Sequence, residues 1–285
     1  MPEAIHPSTV VDPRTVIGRD VRIGAYSIVG PEVTLGDGVE VGHHVILEGQ
    51  IDVGPGVQIG HGSALGGRPQ DLKFKEGTPS GIRIGAETVI REYVVIHRAT
   101  RPESVTEIGP RCLIMSMSHV AHDCRLGQGV IVINYAGITG HCDIGDYVTV
   151  GGQTGIAPFV RVGPYAYLGG GSKVIADVPP FMIADGVPAT VRAVNVIGLR
   201  RAGVPPEDRR AVQEAHRILY RSGLTPAHAL ERLRRELPPH PMVDAIARFV
   251  ATASRRGMCG PPGGWGHAHG NAEELEAGAD HESVL

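Results

Sequence analysis

Aromatic residues are scarce: they make up 4% of the 285-residue chain, with a single tryptophan. A core organised around large rings is therefore excluded. No stretch approaches the ~20 apolar residues of a membrane-spanning helix. Met1-Pro2-Glu3 is neither basic nor apolar, so no secretory leader is expected. The four cysteines lack the spacings of a metal site or a disulfide framework, and a reducing, cytoplasmic setting fits them. Also missing are a Ser-His-Asp elbow, a phosphate-binding Gly loop and a nucleotide fingerprint. The many Gly-x-Gly matches belong to a repeat and carry almost no motif information. Formal net charge is only -3, and no nucleic-acid partner is expected.

What is present is a period of six. An aliphatic residue falls at every sixth position from Ile5 to Leu65, again at Ile84, Ile90 and Ile96, and then from Ile108 to Val174. Glycine often follows it, as at Gly18, Gly60, Gly109 and Gly151. This hexapeptide period predicts a β-helix. Six extended residues span roughly 20 Å, so three hexads close a triangular coil with the aliphatic ladder pointing inward. One coil cannot bury its own inner face, and stacking stabilises the array. Each buried Val, Leu or Ile contributes roughly 1.5–3 kcal/mol. Cys112, Cys124 and Cys142 each precede a ladder residue by two, where Val21 and Val39 stand in other coils. They are expected to be small buried hydrophobes.

The coil is expected over residues 1–192, interrupted by polar Pro/Gly-bearing loops at 66–81 and 97–107. Loops on a rigid scaffold are common places for function. Residues 193–257 read as a small helical domain. Pro205-Pro206-Glu207-Asp208 opens one helix, Thr225-Pro226 a second, and a third runs from about Pro241 to Arg255. These helices are expected to cover the open β edge of the stack. Residues 191–257 hold thirteen Arg, no Lys and six acids, a balance of +7 that suits an acidic partner. Residues 258–285 are rich in Gly, His and acids and read as a disordered tail.

The cluster Ser118-His119-Val120-Ala121-His122-Asp123-Cys124 departs most from the repeat. His119 and His122 flank a ladder residue. His141 follows His122 by nineteen positions, close to one coil, and should lie nearly beneath it as a stacked imidazole. Such a pair at a surface groove suits general base chemistry, because histidine titrates near 6.5. His43, His44 and His61 are read as surface residues.

Several segments resemble the UDP-N-acetylglucosamine O-acyltransferases of lipid A biosynthesis. They are Gln70-Asp71-Leu72-Lys73-Phe74, Ile90-Arg91-Glu92, Ile96-His97-Arg98, His119 to Cys124, Ala136 to His141, Asp177 to Phe181, Asn195 with Gly198 to Arg201, and Tyr220 to Gly223. The resemblance implies a mainly β fold, a left-handed parallel β-helix followed by a small α-helical domain. It also implies a homotrimer with sites between prisms and no metal or diffusible cofactor. The family transfers an (R)-3-hydroxyacyl group from acyl carrier protein to the sugar 3-hydroxyl of the UDP-sugar. Carried over by position, His122 is the general base, Asp123 orients it, and the Gly140 N–H faces the oxyanion. Asp71, Lys73, His119 and His141 hold sugar and thioester. Asn195 and Arg201 contact the nucleotide, and Gly170 lies where the acyl tail ends.

Six positions depart from the family pattern: Ala157-Pro158, Val187-Pro188, Ile197 and Ala202. All bear on the sugar and nucleotide side. They keep open a related acyltransferase acting on another UDP-sugar, such as a 3-amino analogue that would yield an amide. A zinc enzyme resembling γ-class carbonic anhydrases is a further alternative, with three His as ligands.

Overall fold

The computed structural model describes residues 4–264. In it the ladder closes into three flat parallel sheets, each adding one strand per coil. Face 1 has nine strands, from Val10–Val11 to Lys173–Val174. Face 2 has eight, from Val16–Ile17 to Arg161–Val162. Face 3 has ten, from Arg22–Ile23 through Tyr167–Leu168 to a terminal antiparallel hairpin, Met182–Gly186 with Ala189–Val194. The chain visits faces 1, 2 and 3 in turn, so every coil has three corners.

The ladder residues and the small residues at the corners fill the interior. Cys112, Cys124 and Cys142 are buried there, as expected. The first coil differs from expectation. Ile5 and Ile17 are each 36% exposed, because no coil stacks beneath them. The glycine after the ladder residue has a steric cause. A Cβ at Gly109 would lie 2.5 Å from the Gly127 carbonyl carbon of the next coil, and one at Gly151 would lie 2.5 Å from the Gly170 nitrogen. Most corners also place a residue in the left-handed region, among them Asp123 (φ 58), His141 (φ 62) and Phe159 (φ 65). Non-glycine residues there cost about 1–2 kcal/mol. Ring stacking between successive coils offsets part of that, as for Tyr147 on Tyr165.

Both expected loops leave from the corner between faces 1 and 2. The first joins Ala64–Gly67 to Gly81–Ile84, and the second joins Val95–His97 to Val105–Ile108. Four helices cap the far end: α1 (Val196–Arg201), α2 (Pro206–Arg221), α3 (Pro226–Glu236) and α4 (Pro241–Ala251). Proline opens α2, α3 and α4, where its missing N–H has no intrahelical partner to lose. The chain then returns to the coil. Gly257 O accepts from Asp177 N, Cys259 N donates to Asp177 O, and Cys259 is buried. Folded structure thus runs past 257, where a tail was expected to begin. The rest of that tail, 265–285, lies outside the described residues.

Candidate active site

The corner between faces 1 and 2 gathers the histidine cluster. His119 opens a face 1 strand that Val120 ends, and the turn that follows carries His122 and Asp123. One coil on, the equivalent turn carries Gly140 and His141, and His141 N donates to His122 O at 3.1 Å. One coil further it carries Phe159, whose ring stacks on His141 at 4.6 Å and 3°. The His122 and His141 rings meet edge to face, at 5.1 Å and 85°. The expected parallel stack is therefore formed by His141 with Phe159 and not with His122.

His122 Nδ1 lies 2.8 Å from Asp123 Oδ2, with the two side chains 12% and 5% exposed. An ionised carboxylate only accepts, so Nδ1 carries the proton and Nε2 keeps its lone pair. Burial pushes the Asp123 carboxyl up. Hydrogen bonds from His122 and Thr100 outweigh it and hold the group at about 2. Asp123 therefore stays charged at neutral pH. Its backbone N–H is taken by Thr106 Oγ1 at 2.9 Å.

His119 Nε2 is 3.0 Å from His97 Nδ1. Burial pushes both imidazoles down, His97 to about 4, and neighbouring histidines add to the effect. Burial also lowers His141, against the pull of Asp123. Asp71 and Arg101, on the two inserted loops, lie within electrostatic reach of His141. The Asp71 carboxylate also accepts from Lys73 N at 2.9 Å, which fixes the loop locally and leaves the Lys73 side chain exposed.

Gly140 packs against the His122 ring. A Cβ there would lie 2.6 Å from His122 Cε1, so only glycine leaves the ring its place. No acceptor among the described residues takes the Gly140 N–H.

The remaining expected residues lie elsewhere on the prism. Gly170 stands at the corner between faces 3 and 1. Asn195 and Arg201 are at the third corner, on α1. Asn195 caps that helix: its Oδ1 accepts from Gly198 N at 3.0 Å and its Nδ2 donates to Tyr165 O at 2.9 Å. Both ends of the Asn195 amide are thus engaged within the chain, while Arg201 is exposed. Among the described residues, the group able to hold a metal ion is His122, Asp123 and His141, without His119.

Sequence reasoning missed His97, Thr100 and Thr106 as parts of the site. His97 carried a signal, since it occupies the position after a ladder residue where glycine usually stands. Thr100 carried none, being one polar residue in a polar loop.

A stacked hexapeptide coil with a histidine–carboxylate pair at one corner defines a hexapeptide-repeat acyltransferase. A bacterial hexapeptide transferase model of six repeats matches residues 14–49, and a model described as UDP N-acetylglucosamine O-acyltransferase, domain 2, matches 177–259. The acyl-[acyl-carrier-protein]–UDP-N-acetylglucosamine O-acyltransferase of Aquifex aeolicus is 54% identical over 252 residues, 88% of this chain and 96% of that protein. That of Azotobacter vinelandii is 49% identical over 255 residues, covering 89% and 98%. The crystal structure of UDP-N-acetylglucosamine O-acyltransferase from Moraxella catarrhalis superposes with a TM-score of 0.86 at 34% identity, covering 90% of this chain and 99% of that one. The chain belongs to the acyl-[acyl-carrier-protein]–UDP-N-acetylglucosamine O-acyltransferase family. Its fold is the left-handed parallel β-helix expected above.

Proposed function

We propose that this chain moves an (R)-3-hydroxyacyl group from acyl carrier protein to the 3-hydroxyl of UDP-N-acetylglucosamine, in lipid A biosynthesis, with His122 as general base. The observation that carries the mechanism is the 2.8 Å contact between His122 Nδ1 and Asp123, which leaves Nε2 free to accept a proton. The sugar 3-hydroxyl gives its proton to Nε2 while its oxygen attacks the thioester carbonyl. Negative charge develops on the carbonyl oxygen, where the unengaged Gly140 N–H is the donor available beside the base. Collapse of the adduct forms the ester and expels the thiolate of the carrier's prosthetic group, which takes the proton back from His122. No metal or diffusible cofactor enters this sequence.

A homotrimer with shared sites belongs to the same reading. The base stands at one corner and the nucleotide residues Asn195 and Arg201 at another, a full face away, roughly 20 Å. A second copy would be needed to bring them together. An exposed stripe of Tyr93, Met117 and Tyr135, on successive coils along the corner between faces 3 and 1, supports such contact, because soluble monomers seldom expose contiguous apolar surface. The arginines of the cap, Arg200 and Arg248 above all, are proposed to dock the acidic carrier protein. Arg248 borders a groove between α3 and α4 lined by Leu233, Leu237, Val243 and Ala247. Among the described residues no helix is long and apolar enough to cross a membrane. The proposed setting is the cytoplasm.

The test is mass spectrometry of products from UDP-N-acetylglucosamine and its 3-amino analogue with acyl carrier proteins of differing chain length. An ester on the 3-oxygen supports the proposal. Acylation of the amino analogue alone would transfer the chain to the other acceptor.

A further inference from the structure

The carboxylate behind the proposed base is held by a residue of the second inserted loop. Thr100 sits in the second inserted loop, between Val95–His97 and Val105–Ile108. Its Oγ1 donates to Asp123 Oδ2 at 2.7 Å, and its backbone N–H lies 3.2 Å from both carboxylate oxygens. Oδ2 thus receives the Thr100 hydroxyl and His122 Nδ1 together. Thr106, in the strand Val105–Ile108 that receives the loop, accepts from Asp123 N at 2.9 Å and is fully buried. The inserted loop and the strand it leads into are therefore a clamp closed on one aspartate, twenty-three residues away in sequence from Thr100.

We infer that Thr100 is a positioning residue of the acyl transfer reaction: it fixes the Asp123 carboxylate and so sets the orientation and proton affinity of His122. The inference rests on His122 being the base. An Asp123 without the hydroxyl would turn more freely and concentrate more negative charge on His122 Nδ1–H. That favours the imidazolium, so the base would be lost to protonation at a higher pH than in the wild type. Other groups facing the pair are His119 and His97 from face 1, His141 from the next coil, and Arg101 from the same loop, with Asp71 acting on His141.

The test uses the full-length protein with Thr100→Val, Thr100→Ala, Thr100→Ser and His122→Ala, assayed for kcat, both KM values and the pH dependence of kcat/KM. Thr100→Val should lower kcat about tenfold, the scale of one hydrogen bond to a charged group. KM values should stay near wild type, and the acid limb should move to higher pH. Thr100→Ser should restore both. In an Asp123→Ala background, Thr100→Val should have no further effect. If Thr100→Val does not fold, Thr100→Ala removes the hydroxyl without adding bulk and is read the same way. Wild-type kcat and acid limb in the hydroxyl-free variant would overturn the inference, as would an undiminished penalty in the Asp123→Ala background. An active His122→Ala would instead overturn the base assignment, which keeps the two failures distinct.

Discussion

Two histidine pairs, each spanning one coil, ride the same scaffold in different parts of the stack, and they differ in whether a carboxylate bonds to the ring. In the early coils His43 and His61 stack face to face at 4.8 Å and 10°, exposed on the corner between faces 3 and 1. Each Nδ1 accepts a backbone N–H from the coil before, Ala25 N to His43 and His43 N to His61, both at 2.8 Å. With Nδ1 occupied as acceptor, the proton of the neutral ring resides on Nε2, and no basic nitrogen faces outward. In the middle coils the His122 Nδ1 instead donates to Asp123, and the outward Nε2 is the basic one. The same residue type on the same repeat has opposite tautomers because of one neighbour. A pair of imidazoles thus does not by itself present a basic nitrogen; the carboxylate at the turn decides which nitrogen carries the lone pair.

The sharpest way to break this comparison is to remove each pair. His122→Ala should lower kcat by about 10²–10⁴, the usual contribution of a general base, while the protein stays folded. His43→Ala and His61→Ala should leave the rate within about twofold, since they are surface substitutions away from the chemistry. Steady-state kinetics of purified, folded variants checks both. A fall in rate on losing His43 equal to that on losing His122 would end the distinction.

Asp123→Asn tests the neighbour directly. The amide can donate to Nδ1 and invert the tautomer, so kcat should fall by about 10–100-fold or more, with little change in either KM. Two predictions concern the outer parts of the account. Charge reversal of Arg200 and Arg248 should raise the carrier-protein KM about tenfold and weaken its salt dependence, leaving the UDP-sugar KM alone. Gly170→Met should shift donor preference toward shorter acyl groups, because two methylenes denied burial are worth roughly tenfold. At Gly170 an added Cβ would lie 3.3 Å from Gly152 O, a tight contact that the backbone must ease by a few tenths of an ångström, so a melting curve of the variant accompanies the kinetics. The measurement is kcat/KM with donors of ten, twelve and fourteen carbons.

The smallest expected effect is on stability in acid. Burial lowers both His97, beside the site, and His216, in α2, to about 4, whereas the unfolded chain binds those protons near 6.5. Between these values the unfolded state takes up protons that the folded state refuses. Stability should therefore be full above ~6.5, fall as pH drops toward ~4, and level off below, with respect to these two groups. Melting curves of His97→Gln and His216→Gln should each be less steep in that window than the wild type.

Much of the fold was legible because inward-facing positions of a coil must recur, and the spacing of Ile and Val records them. Departures from that record exposed His122, Asp123 and His141. What stayed hidden depends on contacts that no period encodes. Thr100 reaches Asp123 only because the loop folds back over the corner. His141 turns its face to Phe159 because their left-handed turns stack. Arg256 Nε reaches Pro158 O at 2.6 Å, bringing the segment after α4 onto the coil corner where a departure from the family pattern lies. Ile5 and Ile17 kept the period while lacking a coil beneath, so the pattern overstated the core at that end.

The central claim is that Asp123 sets the His122 tautomer, leaving Nε2 free to act as base. The direct measurement is the pattern of imidazole ¹⁵N shifts in the full-length protein at neutral pH, with His122 and His43 assigned by substitution. The account predicts a protonated Nδ1 and bare Nε2 for His122, with the reverse for His43. A His122 protonated on Nε2, with Nδ1 bare, would contradict it.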